Sequence, residues 1–382
     1  MEVSTPKIIL PFYQQEVRTQ ITFHRKLTWY GIGYYLTAEI PGSEILFVDD
    51  PAGLPPRTTD TINNRPWFSN FSLDFLPHPT DSLRLTDSRG GLLAFGDSDN
   101  GIVVCDPCTR EYADVGLPSS GPSYISAFLL DDDADTTPLM SRFRVLYVQV
   151  QHYVDGQRAQ VYVSSTRGDQ WVLLGATADG DILAAVMRLY HKPNNRSHAT
   201  HMYLLGRTGG CVFWGIPLGN NDVLTLDERT GEFSILVLPE PAAGTNNEVP
   251  TMCHRSNTRA ISGDARTVLL ARTIGDDLEV LTVARHRGTC VVNTRVSLSR
   301  LANINEETRS LSWNFMDTAP AAGPGRIVVS PDHKNMWMFS VETMTLEPLS
   351  ARTWDVRVFP YQLPWPPTIK ACLYNCNRDI DV

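Results

Sequence analysis

The chain has 382 residues, 42% of them apolar and 20% charged, with a net charge of −9. That balance suits a globular fold with a full core and speaks against broad nucleic-acid binding, which needs a positive face to displace counterions. No run approaches the roughly 20 apolar residues of a membrane span, and the opening MEVSTPKIILPFYQQEV lacks the long apolar stretch of a secretory signal.

In chain order, Ile21-Thr22-Phe23 and residues 28–35 read as strands, followed by the apolar run 45–48. Residues 92–95 and 102–105 are short apolar runs separated by Gly-Asp-Ser-Asp-Asn-Gly. The same grammar returns in 144–150 and 159–163 around Asp155-Gly156, in 267–271 and 278–283 around Gly275-Asp276-Asp277, and in 327–329 and 336–339. Short β-branched or aromatic runs bounded by turn residues are hairpin signals. Helical periodicity is scarce. Residues 181–190 (DILAAVMRLY) and 299–312 carry it, and the first reads equally as strand.

A turn motif repeats. Asp106-Pro-Cys-Thr109-Arg-Glu-Tyr112 and Asp227-Glu-Arg-Thr230-Gly-Glu-Phe233 each join two apolar runs. Ser340-Val-Glu-Thr343-Met-Thr-Leu346, Ser164-Ser-Thr166-Arg-Gly-Asp-Gln-Trp171 and Arg287-Gly-Thr289-Cys290 are looser copies. The Asp or Ser side chain is expected to cap the turn, the Thr to support it, and the aromatic residue to return to the core. Successive Thr positions lie 54 to 64 residues apart, and one period earlier falls near 48–51, which makes about six units. Gly90-Gly91, Gly209-Gly210, and Gly323 with Gly325 precede three of the turns, at a corner where the backbone bends or packs closely. A period of this length with about four strands is the signature of a propeller blade, which cannot bury its two apolar faces alone. The expected fold is all-β, a β-propeller of about six four-stranded blades. An irregular all-β sandwich is the alternative.

The same residues carry a family resemblance. Thr86-Asp87-Ser88-Arg89-Gly90-Gly91-Leu92-Leu93 with 103–110, Gly210-Cys211-Val212-Phe213-Trp214-Gly215 with 224–233, 144–146 with 161–165, and 361–367 (YQLPWPP) resemble the associated domain of plant F-box proteins, especially the large grass set. The likeness spans about 40 to 375. It implies a substrate-recruiting subunit of a cullin-based ubiquitin ligase, in which the F-box docks on a Skp-type adaptor and a propeller or kelch-like part binds the target. Residues 1–40 depart from that pattern, with no Leu-Pro-x-Asp-like opening and no Leu-rich helical F-box. Either the F-box has been lost or the gene model starts late, which leaves the adaptor unsupported as a partner. The expected organisation is a strand-like segment over 1–40, the propeller over 41–375 and a tail over 376–382.

Catalytic motifs are sparse. There is no nucleophile elbow, phosphate-cradling loop with Lys, or His-Glu-x-x-His. His191, His198 and His201 flank a loop without metal spacing. Cys105 and Cys108, with Cys372 and Cys376, have zinc-like spacing, but Cys108 stands in a repeated turn whose other copies have no Cys. The acidic run at Asp131-Asp132-Asp133-Ala134-Asp135 lacks the Gly and distal Glu of a calcium loop. The seven cysteines read as buried thiols in a reducing compartment. Trp171 and Trp214 read as core, Trp67, Trp313 and Trp337 as packing between sheets, and Trp365 as fixing the chain end.

These observations lead to a protein-binding module, in the cytoplasm or nucleus, with no enzymatic activity, cofactor or metal. The candidate binding loops are 97–100, 131–138, 192–197, 239–249 and 317–324. Two alternatives stand beside it. One is a propeller hydrolase with acids or a metal at its central channel. The other is a degenerate paralogue acting as scaffold or competitor.

Overall fold

The computed structural model describes residues 29–38, 46–49, 73–77, 83–97, 101–118, 124–130, 140–153, 156–164, 170–190, 204–216, 221–240, 257–263, 266–284, 289–304, 313–315, 325–331, 335–349 and 356–364. The chain divides into two units, Met1–Tyr30 with Leu363–Val382, and Gly31–Gln362. The five blades described below lie within the second.

Strands β1 (Trp29–Ala38) and β2 (Leu46–Asp49) come first and pair antiparallel. Blade 1 follows as β3 (Leu83–Arg89), β4 (Leu92–Asp97), β5 (Gly101–Asp106) and β6 (Glu111–Val115). Blade 2 is β7 (Tyr124–Leu130), β8 (Arg144–Tyr153), β9 (Gly156–Ser164) and β10 (Trp171–Thr177), followed by helix α1 (Gly180–Tyr190). Blade 3 is β11 (Leu204–Thr208), β12 (Cys211–Gly215), β13 (Asp222–Asp227) and β14 (Phe233–Val237). Blade 4 is β15 (Thr258–Gly263), β16 (Thr267–Ile274), β17 (Asp277–Ala284) and β18 (Thr289–Ser297), followed by the one-turn helix α2 (Leu298–Leu301). Blade 5 is β19 (Asn314–Phe315), β20 (Arg326–Ser330), β21 (Met336–Ser340) and β22 (Thr345–Leu349), and β23 (Val356–Pro364) ends the series.

The protein is an all-β propeller, and each blade is a meander with its strands side by side in chain order. The expected count is corrected: among the described residues there are five four-stranded blades, and a sixth sheet of three strands, in the order β2-β1-β23. That sheet unites strands from opposite ends of the sequence, so a count along the chain cannot assemble it.

Burial explains why the runs read as they do. Blades 1 and 2 share a core of Leu92, Ala94 and Val104 with Leu129, Val145 and Tyr147. Blades 2 and 3 share Leu146, Val148 and Val161 with Val212, Trp214 and Leu224. Equivalent cores join blades 3 and 4, and blades 4 and 5. A middle strand is therefore covered on both faces. All of β12 and the first five residues of β5 are buried, so they appear as unbroken apolar runs and not as alternation. Each such side chain contributes about 1.5–3 kcal/mol relative to exposure. Outer strands lose one neighbour and become half exposed, as in β6 and β10.

The glycine pairs are the first hairpin turns. Arg89 pairs with Leu92 and Thr208 with Cys211, leaving Gly90-Gly91 and Gly209-Gly210 as two-residue loops. All four have φ between 60° and 79°, the left-handed conformation of a type I′ turn, which matches the strand twist.

The first strands carry a feature with no sequence period. Register slips by one residue between Leu85 and Asp87, Tyr124 and Ser126, Leu204 and Gly206, and Ala260 and Ser262. These are bulges in the first strands of four consecutive blades, and a bulge re-aims the side chains around it. At Gly206 (φ 139°) an added Cβ would lie 3.1 Å from both the Cβ and the carbonyl oxygen of Ala260, so the innermost strands of blades 3 and 4 pack backbone to backbone.

Residues 180–190 form a helix and not a strand. Asp179 Oδ1 accepts from the amides of Asp181 and Ile182, and Ala185, Val186 and Leu189 enter the core of blades 2 and 3. Of the helix expected over 299–312, the described residues form α2, which ends before Asn303. Ser297 caps it, and Asn303 takes φ 56° just after it. Asp276 holds this corner: Oδ1 accepts from the Ser299 amide, the Ser299 hydroxyl and the indole of Trp313 (3.0 Å), and Oδ2 accepts from the Ser297 hydroxyl. Residues 305–312 and the segment 21–23 lie outside the described residues. Among the described residues no helix is long and apolar enough to cross a membrane.

Candidate functional site

The repeated turns join the third strand to the fourth. In blade 1 Asp106 Oδ1 accepts from the amides of Cys108 (2.8 Å) and Thr109 (3.4 Å), and Arg110 takes φ 58°. In blade 3 Asp227 Oδ1 accepts from Arg229 and Thr230 (both 2.9 Å), Thr230 Oγ1 accepts from Glu232, and Gly231 takes φ 71°. In blade 5 Ser340 Oγ accepts from the Thr343 amide (3.4 Å), and Met344 takes φ 55°. Burial, opposed by the turn's hydrogen bonds, pushes the Asp106 carboxyl above its ordinary range. Thr166 lies outside the described residues, between β9 and β10, and Thr289 begins β18.

The aromatic positions do not behave alike. Phe233 is buried, and Trp171 is partly buried, its ring tilted against Tyr147 (centroids 5.6 Å apart) and its Nε1–H donated to the Gly116 carbonyl (2.6 Å). Tyr112 is 43% exposed, which corrects the expected return to the core: it stands on the outer strand β6, which has a paired strand on one side only. Trp214 and Trp313 are buried and Trp337 is half-buried. Cys105, Cys108, Cys211 and Cys290, the described cysteines, are thiols, and burial first, then Asp106, pushes the Cys105 thiol well up. The five candidate loops (apart from Asp97 and the pair at 239–240), His191, His198, His201, the acidic run 131–135, Trp67, Trp365, Cys372 and Cys376 all lie outside the described residues.

Beside the blade 3 turn, the structure brings together charged residues that the turn motif did not single out. Arg207, on β11 just before Gly209-Gly210, crosses to blade 1, and its Nη1 donates to Asp87 Oδ2 (2.7 Å). Its Nε and Nη2 donate to Glu228 Oε1 and Oε2, a bidentate grip. Asp87 also accepts from the Leu129 amide of blade 2 (2.7 Å), and the guanidinium lies 5.6 Å from the Phe128 ring. Arg89 stands 3.9 Å from Glu228. The joint thus ties three blades. Burial pushes the Asp87 carboxyl above the ordinary value of 3.8, against the pull of Arg207, Arg89 and the Leu129 amide. A polar residue just before a Gly-Gly turn, as in Asp87-Ser88-Arg89-Gly90 and Arg207-Thr208-Gly209, was the signal available in the sequence.

Around this joint opens a cleft of about 1920 Å³. β10 forms one wall, the β13–β14 hairpin stands within it, and Arg266, Val268 and Val283 of blade 4 line the far side. Blades 2 and 3 touch closely here, where a Cβ on Gly175 would run into the Gly231 carbonyl oxygen. Of the acids here, Asp227 caps its turn and Glu228 is held by Arg207, while Glu232 is exposed. Arg229 and Arg266 are exposed at the rim. Among the described residues no three His, Cys, Asp or Glu side chains are grouped closely enough to share a metal ion.

No protein-family model matches the chain, and no curated protein matches it. Solved structures similar to it include YCF48 bound to D1 peptide (TM-score 0.42, 9% identity, 85% of this chain and 86% of that one). Others are oligogalacturonate lyase in complex with manganese (0.35, 8%, 69% and 62%) and Saccharomyces cerevisiae Sqt1 (0.36, 11%, 71% and 64%). The chain spans less than two thirds of the length of the latter two. The expectation of no enzymatic activity is corrected to an open one: a lyase is among these similar structures.

Proposed function

We propose that the chain is a protein-interaction module that takes its partner in the cleft at the blade 3 turn. The observation that carries this reading is the size of the cleft. At about 1920 Å³ it exceeds the roughly 300–1,000 Å³ of small-ligand pockets and is walled by three blades. A surface of that size suits a polypeptide segment better than a metabolite.

The resemblance to plant F-box-associated domains supports a finer reading, recruitment of a target to a cullin-based ubiquitin ligase in the cytoplasm or nucleus. A scaffold or competitor role on the same surface is the alternative. Proximity labelling in plant tissue with the wild type, Arg229→Glu/Arg266→Glu and Tyr112→Ser tests both levels. The reading expects a set of labelled proteins that disappears with the double variant and persists with Tyr112→Ser. An identical set from all three would remove the cleft as the binding surface. A Skp-type adaptor in that set supports ligase assembly, and its absence favours the scaffold or competitor role.

A further inference from the structure

Blades 1, 3 and 5 repeat one construction. In each, a glycine with φ between 72° and 79° stands directly before the second strand (Gly91, Gly210 and Gly325), and a residue with φ between 55° and 71° completes the turn to the fourth (Arg110, Gly231 and Met344). The Arg110 amide donates to the Asp106 carbonyl and the Gly231 amide to the Asp227 carbonyl, both at 2.9 Å. The Glu228 amide donates to the Gly210 carbonyl (2.9 Å) as the Val341 amide does to the Gly325 carbonyl (2.7 Å). Pro107, Glu228 and Val341 therefore occupy one position, the first after the capping residue.

Two of the three blades fill that position with an apolar side chain. Pro107 is buried, and Val341 packs on the core shared by blades 4 and 5. Blade 3 buries a carboxylate there, Glu228, at 8% exposure. Arg207, which grips it, pairs with Val212 where Ser88 of blade 1 pairs with Leu93. Asp87, the third member of the joint, stands just after the bulge of its strand, where blade 3 has Gly206. Each charge thus sits at a place that another blade fills without one.

Buried charges lose solvation that their mutual attraction only balances, and apolar residues of similar volume in their place leave a protein as stable or more so. The fold does not account for the joint, but its location does. Glu228 lines the cleft, as do the exposed Arg229 and Glu232 of the same turn. From Glu228 the joint runs through Arg207 to Asp87 of blade 1 and on to the Leu129 amide of blade 2. It fixes where the turn, and the side chains the turn presents, stand against the cleft walls.

We infer that Asp87, Arg207 and Glu228 are positioning residues for partner recognition, which hold the blade 3 turn with Arg229 and Glu232 in the placement the partner reads and which the fold itself does not need. This rests on the cleft reading above. A turn held in this way presents its side chains without the entropy loss of ordering them on binding.

The test removes the three charges together, so that none is orphaned: Asp87→Asn/Arg207→Met/Glu228→Val in the full chain, beside Glu228→Val alone. The triple variant is expected to unfold at the wild-type urea midpoint. The single variant, which leaves Arg207 without its bidentate partner, should unfold at a lower one. In proximity labelling in plant tissue, the proteins that the wild type labels should fall about tenfold with the triple variant. A triple variant that does not fold, or whose midpoint falls with that of the single variant, makes the joint structural and overturns the inference. A wild-type midpoint with full labelling overturns it as well. In that case, loss of the labelled set with Arg229→Glu/Arg266→Glu leaves the cleft reading standing, and its persistence there removes that reading too. An empty set from the wild type removes both.

Discussion

Two arginines hold neighbouring blades together, and their settings differ. In blade 4 Arg272 lies directly opposite Glu279 on the paired strand, bonds it at 2.6 and 3.2 Å, and donates to the Pro239 carbonyl at the end of blade 3. Both side chains are sealed, at 1% and 3% exposure. Arg207 of blade 3 makes as many contacts, but Asp87 keeps 17% exposure and Arg89 30% beside the cleft. The first arrangement is a clasp that water does not reach. The second keeps charge organised at an open surface, where it orders the turn that carries Arg229 and β14. The same chemistry serves rigidity at one site and presentation at the other.

Removing one partner of the sealed clasp should do the most damage. Glu279→Ala leaves Arg272 buried without its carboxylate, and a loss of about 3–5 kcal/mol in denaturant unfolding is expected. Arg207→Ala should cost less, about 1.5–3 kcal/mol, because water reaches the carboxylates it abandons. If the second loss equals or exceeds the first, the distinction between sealed and open sites fails. The smallest effect sharpens the comparison through pH. Asp87 holds its proton to a higher pH folded than unfolded, so stability falls as pH rises from near 3.8 through its folded pKa. Asp87→Asn should remove that fall, seen as a flatter melting temperature against pH than in the wild type. Parallel curves for the two proteins would mean that Asp87 is no harder to ionise in place than in the unfolded chain.

Much of the blade was legible because it is local. The turn Asp106-Pro-Cys-Thr109, the pair Gly209-Gly210 and the apolar runs of β5 and β12 each determine their own geometry within a few residues. What depends on contacts between blades was not legible. The three-stranded sheet joins β1 and β2 to β23, and the bulges recur in structure without a common residue, as Thr86 and Leu205 show. The joint of Asp87, Arg207 and Glu228 spans 120 residues between its first two members, so no spacing rule reaches it.

The most direct test of the open cleft is amide hydrogen exchange of the unliganded chain, read residue by residue along β14, the outer strand within it, and along β16. The amides of Ser234 and Leu236, which bond β13, should exchange slowly and those of Phe233, Ile235 and Val237 quickly, while β16, paired on both sides, is slow throughout. Uniform slow exchange along β14 would mean that its edge is already covered, and the binding surface described here would not exist.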